Sequence, residues 1–200
     1  MFQLWDIFLL HGKGLATRPM IRSPKVHRSD HVETPTEVLR LPVVAHGAEF
    51  LVQGFLMRRN ILTYKAPPNN EGYDLICINP DPRKVTKQIR VQVKSRYATD
   101  CNRTVLVKGR TLDAFDFLIV VFLNIGNFYR KGGQGCLQGR QEPELYTLPV
   151  SFVREHHDRS SSWEKLRLRG LNIDQFKDNS GFELIAQALG IAYPSKDANK

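Results

Sequence analysis

The ten residues FDFLIVVFLN, Phe115 to Asn124, set the tightest limit on what this chain can fold into. A near-continuous apolar run of this length, rich in Ile, Val and Phe, reads as a strand buried on both faces. Such a strand must be covered on two sides. Together with the helices and strands around it, that requirement points to a mixed α/β domain with one central sheet. The chain has 200 residues and a hydrophobic content of 42%, enough for a single domain with a true core.

The other elements fall around that strand. Regular structure begins near Pro42, where Val44, Ala48, Leu51, Val52, Phe55 and Leu56 recur at helical spacing and Asn60 supplies a stop. A short strand, ILTY (61–64), follows. YDLICI (73–78) and QIRVQVK (88–94) then form a hairpin around a Pro- and Asp-containing loop. The polar TDCNRT, a strand TVLVKG and a helical or turn segment RTLDAFD lead into the buried strand. The glycine-rich stretch GNFYRKGGQGCLQGRQEP bridges to a further strand, ELYTL. VSFVREHH reads as a helix, with His156 and His157 exposed near its end. Ser180 and Glu183 are spaced as a capping box before a last helix, FELIAQAL, that Gly190 ends. The expected division is a mobile leader over 1–40, a core over 41–158 and a C-terminal helical extension over 159–200, packed on the core.

The hairpin carries polar residues that burial alone does not explain. Paired in antiparallel register about Arg83, its strands keep their apolar residues in step and set Asp74 opposite Gln92. Val91 and Val93 then face one side, and Gln92 and Lys94 the other. Glu49, at the flank of the first helix's apolar stripe, reaches the rim of the same patch. Two carboxylates and an amide carbonyl are hard oxygen donors that suit Mg²⁺ or Mn²⁺. A lysine beside them stabilises negative charge on a phosphate or helps to position a water. These are the parts of a phosphodiester hydrolase.

In order and spacing, residues 45–124 resemble the PD-(D/E)XK nucleases, which include restriction enzymes, Holliday-junction resolvases and some homing endonucleases. The resemblance implies a restriction-endonuclease-like αβββαβ core with a central mixed sheet flanked by helices. It matches Glu49 to the helical acid, Asp74 to the metal-binding acid, Gln92 to the second metal ligand and Lys94 to the catalytic lysine. Gly72 and Tyr73 stand before Asp74 where the family motif has a proline. An amide replaces the commoner carboxylate at position 92, which removes one negative charge from the metal site. The activity implied is Mg²⁺- or Mn²⁺-dependent endonucleolytic cleavage of DNA. A catalytically inactive nuclease fold that binds nucleic acid is the alternative.

Composition fits such a partner. Lys and Arg number 29 against 20 Asp and Glu, a net charge of +9, which favours polyanions. Arg58, Arg59, Arg96, Arg103, Lys108 and Arg110 follow the two catalytic-like elements and form a candidate phosphate-gripping set. The expected partner is DNA, with RNA as the other option, and cutting both strands of a duplex calls for a homodimer. Cys77, Cys101 and Cys136 are odd in number and lack CxxC spacing, which excludes a zinc knuckle and fits a reducing cytoplasm. Cys77 reads as a small core residue. No apolar run is long enough to span a membrane, so no membrane role is expected.

Overall fold

The structure is a computed structural model that describes residues 41–68, 70–99, 102–125 and 141–192, all within the unit Glu37–Lys200. The leader, the body of the glycine-rich stretch, Cys101, Cys136 and the last eight residues lie outside the described residues. The chain forms a mixed α/β fold around a five-stranded mixed sheet, with helices on its two faces.

Helix α1 spans Leu41–Met57. It ends in a Schellman motif: Ile61 N–H donates to Leu56 O (3.1 Å), Asn60 N–H donates to Met57 O (3.0 Å), and Asn60 takes a positive φ of 60°. That turn delivers the chain into β1 (Leu62–Lys65), which pairs antiparallel with β2 (Leu75–Ile78). The hairpin partner β3 (Ile89–Arg96) pairs with β2 through Leu75↔Val91, Ile76↔Arg90 and Cys77↔Ile89. Continued by one residue, this register sets Asp74 across from Gln92, as the apolar pattern predicts.

β3 pairs in parallel with β5 (Phe117–Phe122), and β5 pairs antiparallel with β6 (Glu144–Pro149), giving the order β1-β2-β3-β5-β6. Asp116 pins the start of the parallel pair. Its carboxylate accepts Arg90 N–H (2.7 Å), and its own N–H donates to Arg90 O (2.9 Å). Every residue of β5 is buried. Phe117, Ile119 and Val121 enter a core with α1 and the last helix, while Leu118, Val120 and Phe122 enter a second core on the opposite face. The two-sided burial read from FDFLIVVFLN is the organising feature of the fold.

A parallel pair requires a crossover. Residues 97–116 supply it, but with a short strand β4 (Thr104–Leu106) and a single 3-10 turn (Gly109–Thr111) where a full helix would be usual. β4 belongs to a second sheet, with β7 (His157–Asp158) and β8 (Lys165–Arg167), in the order β4-β8-β7. With helix α2 (Val150–Glu155) this layer covers the Leu118 face. His156 and His157 are half-buried rather than exposed: His156 stacks on Phe152, and His157 Nε2 lies 2.7 Å from Val107 O.

Helix α3 (Asp178–Ala188) closes the other face through Phe182, Ile185 and Ala186. It begins two residues before the expected capping-box serine. Tyr146 bridges to Lys177, and Leu145 N–H donates to the Asp178 carboxylate (3.1 Å), so the edge of the sheet sets the helix start in place of a local cap. Gly190, with φ of 65°, ends the helix as expected.

Leu118 is fully buried in the middle of the central strand. Leu118→Ala is expected to cost about 2–5 kcal/mol in urea denaturation, through lost burial and the cavity left behind. A cost under about 0.5 kcal/mol, the range of surface substitutions, would mean that the two-sided packing is not as described.

Candidate active site

Asp74 stands where β2 parts from β3. Its N–H donates to Val91 O (2.8 Å), and its side-chain Oδ2 accepts Val93 N–H (2.7 Å). The carboxylate thus replaces the backbone partner that one more residue of ladder would have given, and holds itself over β3 beside Gln92 and Lys94. The approach depends on Gly72. Its φ is +106°, and a Cβ there would lie 2.4 Å from the Ala114 Cβ of the crossover.

Two clefts meet at this point. One, of about 340 Å³, is lined by Val44, Ala45 and Glu49 of α1 with Asp74, Val93, Lys94, Ser95, Arg96 and Tyr97. The other, of about 290 Å³, lies on the opposite side of β3, where Asp74, Gln92 and Lys94 face Leu106, Val107, Lys108 and Thr111 of the crossover and Glu71 of the preceding loop. Asp74 and Lys94 form the wall common to both. The four residues named from the sequence therefore converge in two groups that share a centre, with Glu49 on the helix side and Gln92 on the crossover side.

The electrostatics are uneven. Burial pushes the Asp74 carboxyl above its usual range; the Val93 N–H acts against this, the Glu49 charge adds to it, and Lys94 and Lys65 oppose it. Glu49 is 15% exposed and is ion-paired with Lys65, at the end of β1. Gln92 is 7% exposed, and its buried Oε1 has no hydrogen-bond partner among the described residues. An unsatisfied buried carbonyl costs about 1–3 kcal/mol, so an oxygen left this way beside a carboxylate is poised to accept a ligand. A divalent ion fits that demand, since Asp74 Oδ1 and Gln92 Oε1 are hard donors of the kind Mg²⁺ and Mn²⁺ prefer. Among the described residues no group of three or more His, Cys, Asp or Glu could hold a metal, so any ion here relies on the amide oxygen as well as on carboxylates.

The basic set divides. Arg96 lines the first cleft; burial pulls its guanidinium below the usual value, and its Nη2 donates to Thr104 O. Lys108 lines the second cleft and is exposed, while Arg110 pairs with Glu71 at its rim (2.5 Å). Arg103 lies over the Phe122 and Tyr146 rings, at 5.3 and 5.7 Å, and lines neither cleft. Arg58 and Arg59 lie in the turn that follows α1, about 14 Å along the helix axis from Glu49. Arg59 is engaged there with Asn179 and with the Phe55 and Phe182 rings. Lys65 belongs to the site's surroundings through Glu49, and no sequence pattern marked it as such. Cys77 is fully buried, and burial pushes its thiol up to about 12, as suits a core residue. Among the described residues no helix is long and apolar enough to cross a membrane.

Comparisons with known proteins add the following. No protein-family model matches the chain, and no curated protein matches it. Among solved structures it is similar to the bacterial homing endonuclease I-Ssp6803I, at 16% identity over 76% of this chain and 96% of that one, with a TM-score of 0.46. It is also similar to Hjc, a Holliday junction resolvase from the archaeal hyperthermophile Archaeoglobus fulgidus, at 11% identity over 76% and 99% of the two chains, with a TM-score of 0.36.

The raised Asp74 pKa makes a prediction about stability. A carboxyl held above its unfolded value stabilises the fold fully only below about pH 4, and that contribution is lost as pH rises through the raised value. Asp74→Asn keeps an oxygen for Val93 N–H and removes the charge. Its stability relative to wild type should therefore climb between pH 3 and pH 8 in urea titrations. A difference that is flat, or that falls with pH, would show that Asp74 is not strained by burial.

Proposed function

We propose that this protein is a divalent-metal-dependent endonuclease of the PD-(D/E)XK type that hydrolyses phosphodiester bonds in DNA. The observation that carries the reading is the convergence at one cleft wall of a buried carboxylate, an unsatisfied buried amide oxygen and a lysine: Asp74, Gln92 and Lys94. In this reading Asp74 and Gln92 hold Mg²⁺ or Mn²⁺, with Glu49 on the helix side as the third member of the metal set. When bound, the ion supplies Lewis-acid stabilisation of the charge that builds on a phosphate under attack. The protein's own groups do the rest. Lys94, on the wall between the two clefts, offers a fixed positive charge to the scissile phosphate and orients the attacking water. Arg96 and Lys108 line the clefts on either side and would grip flanking phosphates, so that the backbone is positioned without reading its sequence. Residues 41–158 would be the nuclease core and 159–200 its extension. A homodimer would bring two sites to the two strands, and the cysteine usage fits work in the cytoplasm.

A second reading has its own observation. Position 92 is neutral, and Glu49 is already neutralised by Lys65, which together favour a fold that binds nucleic acid without turnover. Cleavage separates the two readings. Incubated with Mg²⁺ and plasmid DNA, the wild type should nick or linearise the substrate. Lys94→Ala should slow this by about 10²–10³-fold, the size expected for losing a charge that stabilises a transition state. Equal, slow nicking by both proteins, with DNA binding intact and falling with added salt, would support the binding module instead.

A further inference from the structure

The ion pair between Lys65 and Glu49 has no place in the reaction just described, yet it sits inside the site that would perform it. Lys65 ends β1, the strand α1 leads into, and its Nζ donates to Glu49 Oε2. The same ammonium lies 4.9 Å from the centre of the Phe50 ring, one residue along α1, so both its charge and its stem are held against the helix. Both partners are partly shielded, with Lys65 36% and Glu49 15% exposed. Lys65 also acts electrostatically on Asp74, on the far side of the helix-side cleft.

The carboxylates at this cleft are matched or exceeded by cations: Glu49 and Asp74 face Lys94 and Arg96 in the lining and Lys65 beside Glu49, while Gln92, on the crossover side, offers only a neutral oxygen. A divalent ion entering such a site meets no net attraction from its side chains. It also finds one of the two carboxylates already occupied by a cation.

We infer that Lys65 is a positioning residue that holds Glu49 back from a divalent ion and thereby lowers the site's affinity for it. Lys65 acts through Glu49 and does not touch substrate. The inference rests on the nuclease reading for the identity of the ion, and it goes further in naming the group that sets how much ion the site requires. A purely structural ion pair behaves differently: removing Lys65 would then loosen Glu49 and weaken the site or leave it unchanged.

The test is calorimetric titration of the full chain with Mn²⁺ at fixed pH and salt, for wild type, Lys65→Met, Lys65→Gln and Lys65→Arg. Thermal unfolding without the ion shows that each variant is folded. Removing a unit positive charge from a partly shielded site, and with it the competitor for Glu49, should tighten Mn²⁺ binding by about tenfold in Lys65→Met and Lys65→Gln. Lys65→Arg keeps the pair and should bind as wild type does. In a Glu49→Gln background the gain from Lys65→Met should shrink, because the carboxylate it liberates is gone. Equal or weaker Mn²⁺ binding by Lys65→Met and Lys65→Gln, in proteins that do bind the ion, overturns this inference and leaves the nuclease reading standing. Absence of Mn²⁺ binding in wild type and every Lys65 variant overturns both.

Discussion

The bond from Val93 N–H to the Asp74 carboxylate is the interaction on which the candidate site depends. β2 and β3 pair in regular register as far as Leu75↔Val91, and there the ladder stops. Ending a ladder beside a central strand strands a backbone donor, which must find another acceptor or be solvated. Here the acceptor is a side chain. One carboxylate closes the ladder and, by the same bond, is fixed above the strand that carries Gln92 and Lys94. The parting of the strands opens the clefts on either side of it. Structure and proposed chemistry thus share one atom pair, and Gly72 makes the approach possible from below.

That arrangement stores electrostatic cost. Asp74 is held partly out of water with Glu49 nearby, and Gln92 keeps an oxygen unsatisfied in the same space. A perturbed carboxyl and a lysine that converge in a cleft are a mark of ligand-binding and catalytic centres. The neutral amide and the Lys65–Glu49 pair then moderate the field, so that the carboxylates of the site carry no excess negative charge before any ion arrives.

Much of this was legible in the sequence because it was written in short-range pattern. The two-sided strand, the α1 stripe and stop, and the hairpin register all follow from periodicity and turn chemistry acting over a few residues. What escaped was set at long range. β4 was expected as a strand, but its partner β8 and that strand's partner β7 are segments of two or three residues, too short to show a period and some fifty to sixty positions away from β4. The start of α3 is dictated by β6 and not by Ser180. Arg58 and Arg59 follow Glu49 closely in sequence, but a helix spends those residues on length and carries them away from the cleft. Lys65, just past the expected strand ILTY, carried no signal because its partner is on another element. The resemblance that singled out Glu49, Asp74, Gln92 and Lys94 is of another kind, since it depends on the order of elements more than on any one residue.

The central claim is that Asp74 and Gln92 together hold a divalent ion, and the most direct measurement is a crystal of the full chain soaked in Mn²⁺ with anomalous data collected. The account predicts an anomalous peak within coordination distance of an Asp74 oxygen and of Gln92 Oε1. A Gln92 amide found bonded to the protein, with manganese bound elsewhere or not at all, would contradict it.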